Sequence, residues 1–157
     1  MQDEEPITAL AWSPDGKCLH TASRSLQQRM WDMETVRVIR AWRVSTHPFT
    51  NTPTAQHPPQ GHRAPVLDMA ADATGALLAS GGADRSVRVW DVAGGYCTHA
   101  FTKHKGIVLR VVIHPRELLV IAATQDAEVL VWDLVSKTMR FSLQGHFSAV
   151  TGARWWV

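Results

Sequence analysis

The stretch "GGADRSVRVWD", Gly81–Asp91, joins a glycine-rich polar turn to an alternating segment that ends in Trp-Asp. Such a cluster admits three readings: a phosphate cradle, part of a catalytic set, or a turn in a scaffold. Its spacing decides among them. Trp-Asp occurs at Trp31-Asp32, Trp90-Asp91 and Trp132-Asp133, the last two 42 residues apart. His62, His104 and His146 keep the same 42-residue step. Trp90 and Trp132 each follow their histidine by 28 residues, and Asp84 and Asp126 each precede their tryptophan by six. A single catalytic or phosphate site has no reason to be tiled in this way, whereas a repeated structural unit does.

Within each period, "LLASGG", "SVRVWD", "YCTHAF" and "VLRVVIH" are short, rich in β-formers and bounded by turn residues. "SPDG" (Ser13–Gly16), "DATG" (Asp72–Gly75) and "HPRE" (His114–Glu117) fall at one place in the period and read as strand-to-strand turns. Gly16 and Gly75 allow a positive φ there, and Glu117 must manage without that freedom. Four short strands per period of about 42 residues is the pattern of a β-propeller blade. Trp12, Trp90 and Trp132 are expected on buried strand positions.

The totals agree with this architecture. The chain has 157 residues, 45% hydrophobic and 19% charged, enough for one globular domain with a sizeable core. Sixteen basic and fourteen acidic side chains nearly cancel, and no Lys/Arg run marks a nucleic-acid footprint. Cys18 and Cys97 belong to no CxxC pair, which points away from a zinc site or a disulfide framework and towards a reducing compartment. The start "MQDEEP" lacks the order of a secretory signal, and no apolar run approaches the roughly 20 residues that span a bilayer. A soluble intracellular protein is expected.

The Gly61-His62 and Gly145-His146 pairs, "LLASGGADRSVRVWD" and "AEVLVWD" resemble the WD-repeat family. That resemblance implies a buried hydrogen-bonded brace in each blade, made of a His, a strand Ser or Thr, the turn Asp and the Trp. Matched by position, the second blade has all four: His62, Ser80, Asp84 and Trp90. The third has His104, Asp126 and Trp132, with Ala122 in place of the hydroxyl. The first has Asp3 at the histidine position, then Thr21, Ser25 and Trp31.

"AWSPDGKCLHTASRS", "GALLASGGADRSVRVWDVAGGYCTHAFTKHKGIV" and "HFSAVTG" further resemble the N-terminal repeats of one nucleolar group. These are the transducin-beta-like WD-repeat subunits of the small-subunit processome, in its UTP-B subcomplex. The resemblance implies a non-catalytic protein-interaction scaffold in small-subunit ribosome biogenesis and pre-rRNA processing. It also implies partners within a multi-subunit complex and a nucleolar or nuclear location. The alternative is a WD-repeat adaptor of another pathway, such as substrate recognition for a ubiquitin ligase.

The expected fold is therefore all-β: a partial propeller of about three four-stranded blades plus the first strand of a fourth. Blade 1 spans residues 7–42, a Pro/Thr-rich insertion loop 45–60, blade 2 61–102, blade 3 103–143, and a truncated fourth blade 144–157, its strand in "AVTGARWW" (Ala149–Trp156). Propellers of four to eight blades close into rings. Three blades and a strand leave packing faces bare, so the chain is expected to be the N-terminal part of a longer propeller or to complete itself with a partner. Expressed alone, it is expected to self-associate or dissolve poorly.

A Ser80-His62-Asp84 triad is disfavoured, because no nucleophile elbow accompanies it and the His and Asp recur without the Ser. No catalytic residue, cofactor, metal ligand, small-molecule substrate or membrane contact is assigned. The histidines lie one blade apart, unlike zinc ligands, and "GGADRS" lacks the order of a phosphate-binding loop. Direct function is assigned to loop and inner-strand charges instead. Arg63, Arg85 and Lys105 lie near one rim with Lys103, and Asp68 and Arg110 occupy equivalent inner-strand positions. These are the candidate partner contacts, and the rim leaves room for an indirect or weak RNA contact.

Overall fold

The computed structural model describes residues 5–43 and 61–154. The insertion 45–60, Asp3 and the last residues of the expected fourth-blade strand lie outside the described residues.

Twelve strands form three four-stranded antiparallel sheets, each a meander in chain order. Blade 1 contains β1 (Ile7–Trp12), β2 (Cys18–Ser23), β3 (Gln27–Asp32) and β4 (Arg37–Arg43). Blade 2 contains β5 (Val66–Ala71), β6 (Leu77–Gly82), β7 (Val87–Asp91) and β8 (Tyr96–Phe101). Blade 3 contains β9 (Val108–Ile113), β10 (Leu119–Thr124), β11 (Val129–Asp133) and β12 (Thr138–Leu143). The first strands of successive blades, β1 against β5 and β5 against β9, pack side by side, so the sheets fan radially from their inner strands. Residues 149–154 join no ladder, since no neighbouring strand pairs with them among the described residues.

Local chemistry explains the turns. The first turn of each blade is capped by its own leading side chain. Ser13 Oγ accepts from the Cys18 N–H (2.9 Å), and Asp72 Oδ1 accepts from the Leu77 N–H (2.8 Å). His114 Nδ1 accepts from the N–H groups of Arg116 (3.2 Å) and Glu117 (3.0 Å), which closes the turn that lacks a glycine. Gly16 and Gly75 take φ values of 71° and 74°. The third turn needs the left-handed region as well. Blade 2 supplies Gly95 (φ 73°), whereas blades 1 and 3 place Val36 (53°) and Lys137 (57°) there. A β-branched residue in that region is strained.

Two apolar clusters fill the spaces between blades. Trp42, Ala9 and Ala22 of blade 1 meet Leu78, Trp90, Val92 and Cys97 of blade 2. Ala79, Val87, Val89 and Phe101 of blade 2 meet Val108, Val111, Leu130 and Trp132 of blade 3. A bulge sits beside each tryptophan, between Met30/Trp31, Val89/Trp90 and Val131/Trp132, and bends the outer strand near its start. Trp42 then lies 6.4 Å from Trp90 between ring centroids, and Phe101 stacks on Trp132 at 4.6 Å. Trp90 and Trp132 are 2% and 3% exposed, but Trp12 is 52% exposed, contrary to expectation. Trp12 pairs with Leu19 in the register and lines an open hollow with Ala71 and Asp72 of blade 2 and Ile113 of blade 3.

Glycine is required at both positions of "GG". A Cβ on Gly81 would lie 2.5 Å from Val108 Cγ1 in the next blade. One on Gly82 would lie 2.9 Å from His62 Nδ1 and 3.1 Å from the Pro65 carbonyl oxygen. The first glycine lets two blades approach, and the second makes room for the histidine.

Candidate functional site

The Gly82–Ser86 turn and the loop before β5 converge on Asp84. His62 Nδ1–H donates to Asp84 Oδ1 (3.0 Å) and Oδ2 (3.1 Å), and the Arg63 N–H donates to Oδ2 (2.9 Å). Ser86 donates from its hydroxyl (2.7 Å) and its N–H (3.1 Å) to Oδ1. Trp90 Nε1–H donates to Ser80 Oγ (2.9 Å), and Ser80 in turn donates to His62 Nε2 (2.7 Å). The four groups form one directed chain, Trp90 to Ser80 to His62 to Asp84. Burial alone would push the Asp84 carboxyl up. The bonds from His62, Ser86 and Arg63 outweigh it and hold the carboxyl well below the usual carboxylate range. Ser80 is wholly buried with its oxygen occupied by Trp90, so it offers no exposed nucleophile.

Blade 3 solves the same problem differently. Without a hydroxyl at Ala122, His104 Nε2 accepts directly from Trp132 Nε1–H (3.0 Å). Nδ1 then carries the proton and donates across the blade boundary to the Arg85 carbonyl (3.2 Å). Asp126 is therefore not part of the brace: it is exposed and accepts no bond from His104. Arg85 has φ 60°, and the carbonyl that accepts the bond belongs to this left-handed residue. Burial lowers the His104 pKa, which favours the uncharged ring that this arrangement requires. In blade 1, Trp31 Nε1–H donates to Thr21 Oγ1 (3.0 Å), while Ser25 shares a hydroxyl bond with Ser23 (2.8 Å). His146 is exposed.

Among the candidate contacts, the structure separates two groups. Asp68 Oδ2 accepts the Val111 N–H (2.9 Å) of blade 3, and Oδ1 lies 3.8 Å from Arg110 Nη1. Arg110 Nε–H donates to the Thr151 carbonyl (2.9 Å). This pair joins inner strands to one another, which leaves Asp68 little capacity for a partner. Burial raises the Asp68 pKa, with the Val111 N–H and Arg110 partly offsetting it. Arg63, Arg85 and Lys105 instead stand exposed on loops at the rim where β5 and β9 begin. Lys105 Nζ lies 3.7 Å from Glu128 Oε1, a screened contact worth little.

Several buried polar groups escaped the sequence reading. His20 (1% exposed), Gln28 (3%) and Arg88 (4%) face the space between blades 1 and 2. His20 Nδ1, Gln28 Oε1 and Trp42 Nε1 have no hydrogen-bond partner among the described residues. The available signal was the repeat itself: His20 occupies the column of Ala79 and Ile121, and Gln28 that of Val87 and Val129. Glu128 is also buried, accepting from Ser142 Oγ (3.2 Å) and Gln144 Nε2 (3.1 Å). Among the described residues no group of three or more His, Cys, Asp or Glu is placed to hold a metal ion. Nor is any helix among them long and apolar enough to cross a membrane.

Radially packed four-stranded meanders, each pinned by its tryptophan, define an open, partial β-propeller. The family model described as "WD domain, G-beta repeat" matches residues 2–32, 53–91 and 95–133, more than half of the chain. The chain belongs to the WD-repeat family. It is 40% identical over 152 residues to transducin beta-like protein 3 of Bos taurus, covering 96% of this chain and 17% of that protein. It is 34% identical over 107 residues to U3 small nucleolar RNA-associated protein 13 of Saccharomyces cerevisiae, covering 68% of this chain and 11% of that protein. The solved structure of U3-55K matches with a TM-score of 0.82 at 23% identity, over 95% of this chain and 42% of the other. The chain thus spans less than a fifth of the length of both sequence relatives.

Proposed function

We propose that this chain is a non-catalytic interaction scaffold in small-subunit ribosome biogenesis, working within a processome subcomplex in the nucleolus. The observation that carries this reading is its 40% identity across 96% of the chain to transducin beta-like protein 3. The relative named for association with U3 small nucleolar RNA supports the same process. The brace supports a structural role, since Ser80, His62 and Asp84 are occupied with one another and with Trp90. Contact with protein partners falls to Arg63, Arg85 and Lys105, which are exposed on one rim, with only a screened contact from Lys105 to Glu128 engaging their charge among the ion pairs of the described residues.

Affinity purification of the tagged chain from cells, followed by mass spectrometry, tests the reading. Processome proteins should co-purify. Reversing charge at Arg63 and Lys105 together should reduce their recovery without lowering the melting temperature. Recovery of ubiquitin-ligase subunits in their place, or equal recovery by the variant, would overturn the process or the rim respectively.

A further inference from the structure

Two departures from the repeat meet in one place. Lys103 stands where Gly61 and Gly145 precede the other histidines of the 42-residue series. Lys137 takes the left-handed turn position (φ 57°) that blade 2 gives to Gly95 (φ 73°). Both lysines line a crevice of about 170 Å³ between blades 2 and 3, beside the stacked rings of Phe101 and Trp132. Thr102 and Thr138 line it as well, and Met139, 47% exposed, adds an apolar wall.

The brace of blade 3 uses His104 and Trp132 and neither lysine. Lys103 and Lys137 are both exposed, and neither takes part in an ion pair among the described residues. No Asp or Glu lines the crevice. The boundary between blades 1 and 2 differs. It carries Gly95 and Tyr96 at the places of Lys137 and Thr138, and Arg40 lies against Gly95. The pair of lysines is therefore particular to one boundary.

We propose that this crevice binds a phosphorylated serine or threonine of a protein partner. Two ammonium groups in one crevice call for two negative charges. A phosphomonoester carries about −1.5 to −2 at pH 7, and a carboxylate carries only one. Lysine acts on phosphate as a point charge, and the crevice lacks the arginine fork that holds a carboxylate through two bonds. Thr102 and Thr138 add hydroxyl donors for the remaining oxygens; the Thr138 hydroxyl now shares a bond with that of Ser136 (2.8 Å). Met139 meets the carbon atoms of the esterified residue, which a free phosphate does not have. The crevice is built within one chain and does not depend on the proposed cellular role.

Retention of degenerate nonapeptide pools on the immobilised whole chain tests this, with phosphoserine, serine or glutamate fixed at the central position. The phosphoserine pool should be retained about tenfold over the serine pool and about threefold over the glutamate pool. Lys103→Gln and Lys137→Asn should each reduce that excess about threefold and together abolish it, asparagine being chosen because it tolerates the left-handed region. Lys17→Gln, an exposed lysine of blade 1, should leave retention unchanged. Both crevice lysines are exposed, so the melting temperature of the double variant should match that of the wild type. The rim is tested on a different pair of residues, so either reading can fail alone. Equal retention of the phosphoserine and glutamate pools would overturn the proposal, as would undiminished retention or a lowered melting temperature in the double variant. Elution of the phosphoserine pool by inorganic phosphate or polyuridylic acid as readily as by a phosphoserine peptide would overturn the assignment to a protein partner.

Discussion

Replacing Ser80 with alanine removes the one atom through which Trp90 and His62 are joined. Trp90 Nε1–H loses its acceptor at 2.9 Å and His62 Nε2 loses its donor at 2.7 Å, in surroundings where both residues are 2% exposed or less. Each buried polar group left without a partner costs about 1–3 kcal/mol, so the two together cost about 2–6 kcal/mol. Blade 3 shows the escape that would shrink this figure, since its histidine accepts directly from the tryptophan. His62 cannot take that course freely. Its Nδ1 is held by Asp84 at 3.0 Å, and swinging the ring would break those bonds as well. We expect a loss of about 3 kcal/mol, and for a chain of this size each kcal/mol lowers the melting temperature by roughly 2–4 °C. Urea unfolding followed by tryptophan fluorescence, with thermal melts by circular dichroism, measures both. A loss below about 0.5 kcal/mol would refute the claim that the four groups act as one closed chain.

Two further outcomes follow from the packing. Gly81→Ala brings a methyl group within 2.5 Å of Val108 Cγ1 and 2.8 Å of Val111 Cγ1, and should cost about 1–3 kcal/mol by overpacking. Adding Val108→Ala should recover part of that loss in a double-mutant cycle, and strictly additive effects would count against the contact. His20→Ile removes a buried nitrogen that has no partner among the described residues and should stabilise by about 1–2 kcal/mol. It should also flatten the acid limb. Burial lowers the His20 pKa below its ordinary 6.5, so the folded chain resists a proton that the unfolded chain accepts. That part of the stability is present above pH 6.5 and is lost as pH falls below it. Melting temperatures between pH 7 and pH 5 should fall less steeply in the variant; parallel curves would show that His20 does not titrate with unfolding.

The spacing of Trp-Asp and His made the blades legible because an inter-blade geometry that repeats must repeat its residues. The second brace was equally legible, since all four chemical groups stand at their places. The third was not, for a local reason. Deleting one hydroxyl at Ala122 lets the imidazole reach Trp132 and sends its other nitrogen to Arg85, and no spacing records which way a ring turns. Asp68 read as a surface charge because inner-strand alternation does not reveal that the next strand presents an N–H at 2.9 Å. Trp12 read as buried because an apolar residue on a strand usually is, as Ile113 in its column is, whereas Trp12 and the half-buried Ala71 border an open hollow. His20 and Gln28 departed visibly from apolar columns, and their burial was the more informative reading of that departure.

The bond from His104 to the Arg85 carbonyl has a direction in time as well as in space. Arg85 leaves the ribosome before His104, and Trp132 follows 28 residues after the histidine. The turn of blade 2 can therefore be in place to orient the incoming imidazole before its tryptophan exists, in keeping with folding from the N-terminus during synthesis. Blade 2 thus presents an acceptor to the blade that emerges after it. An error in the Gly82–Ser86 turn is then inherited downstream by His104, whereas an error in blade 3 leaves the braces already set behind it untouched.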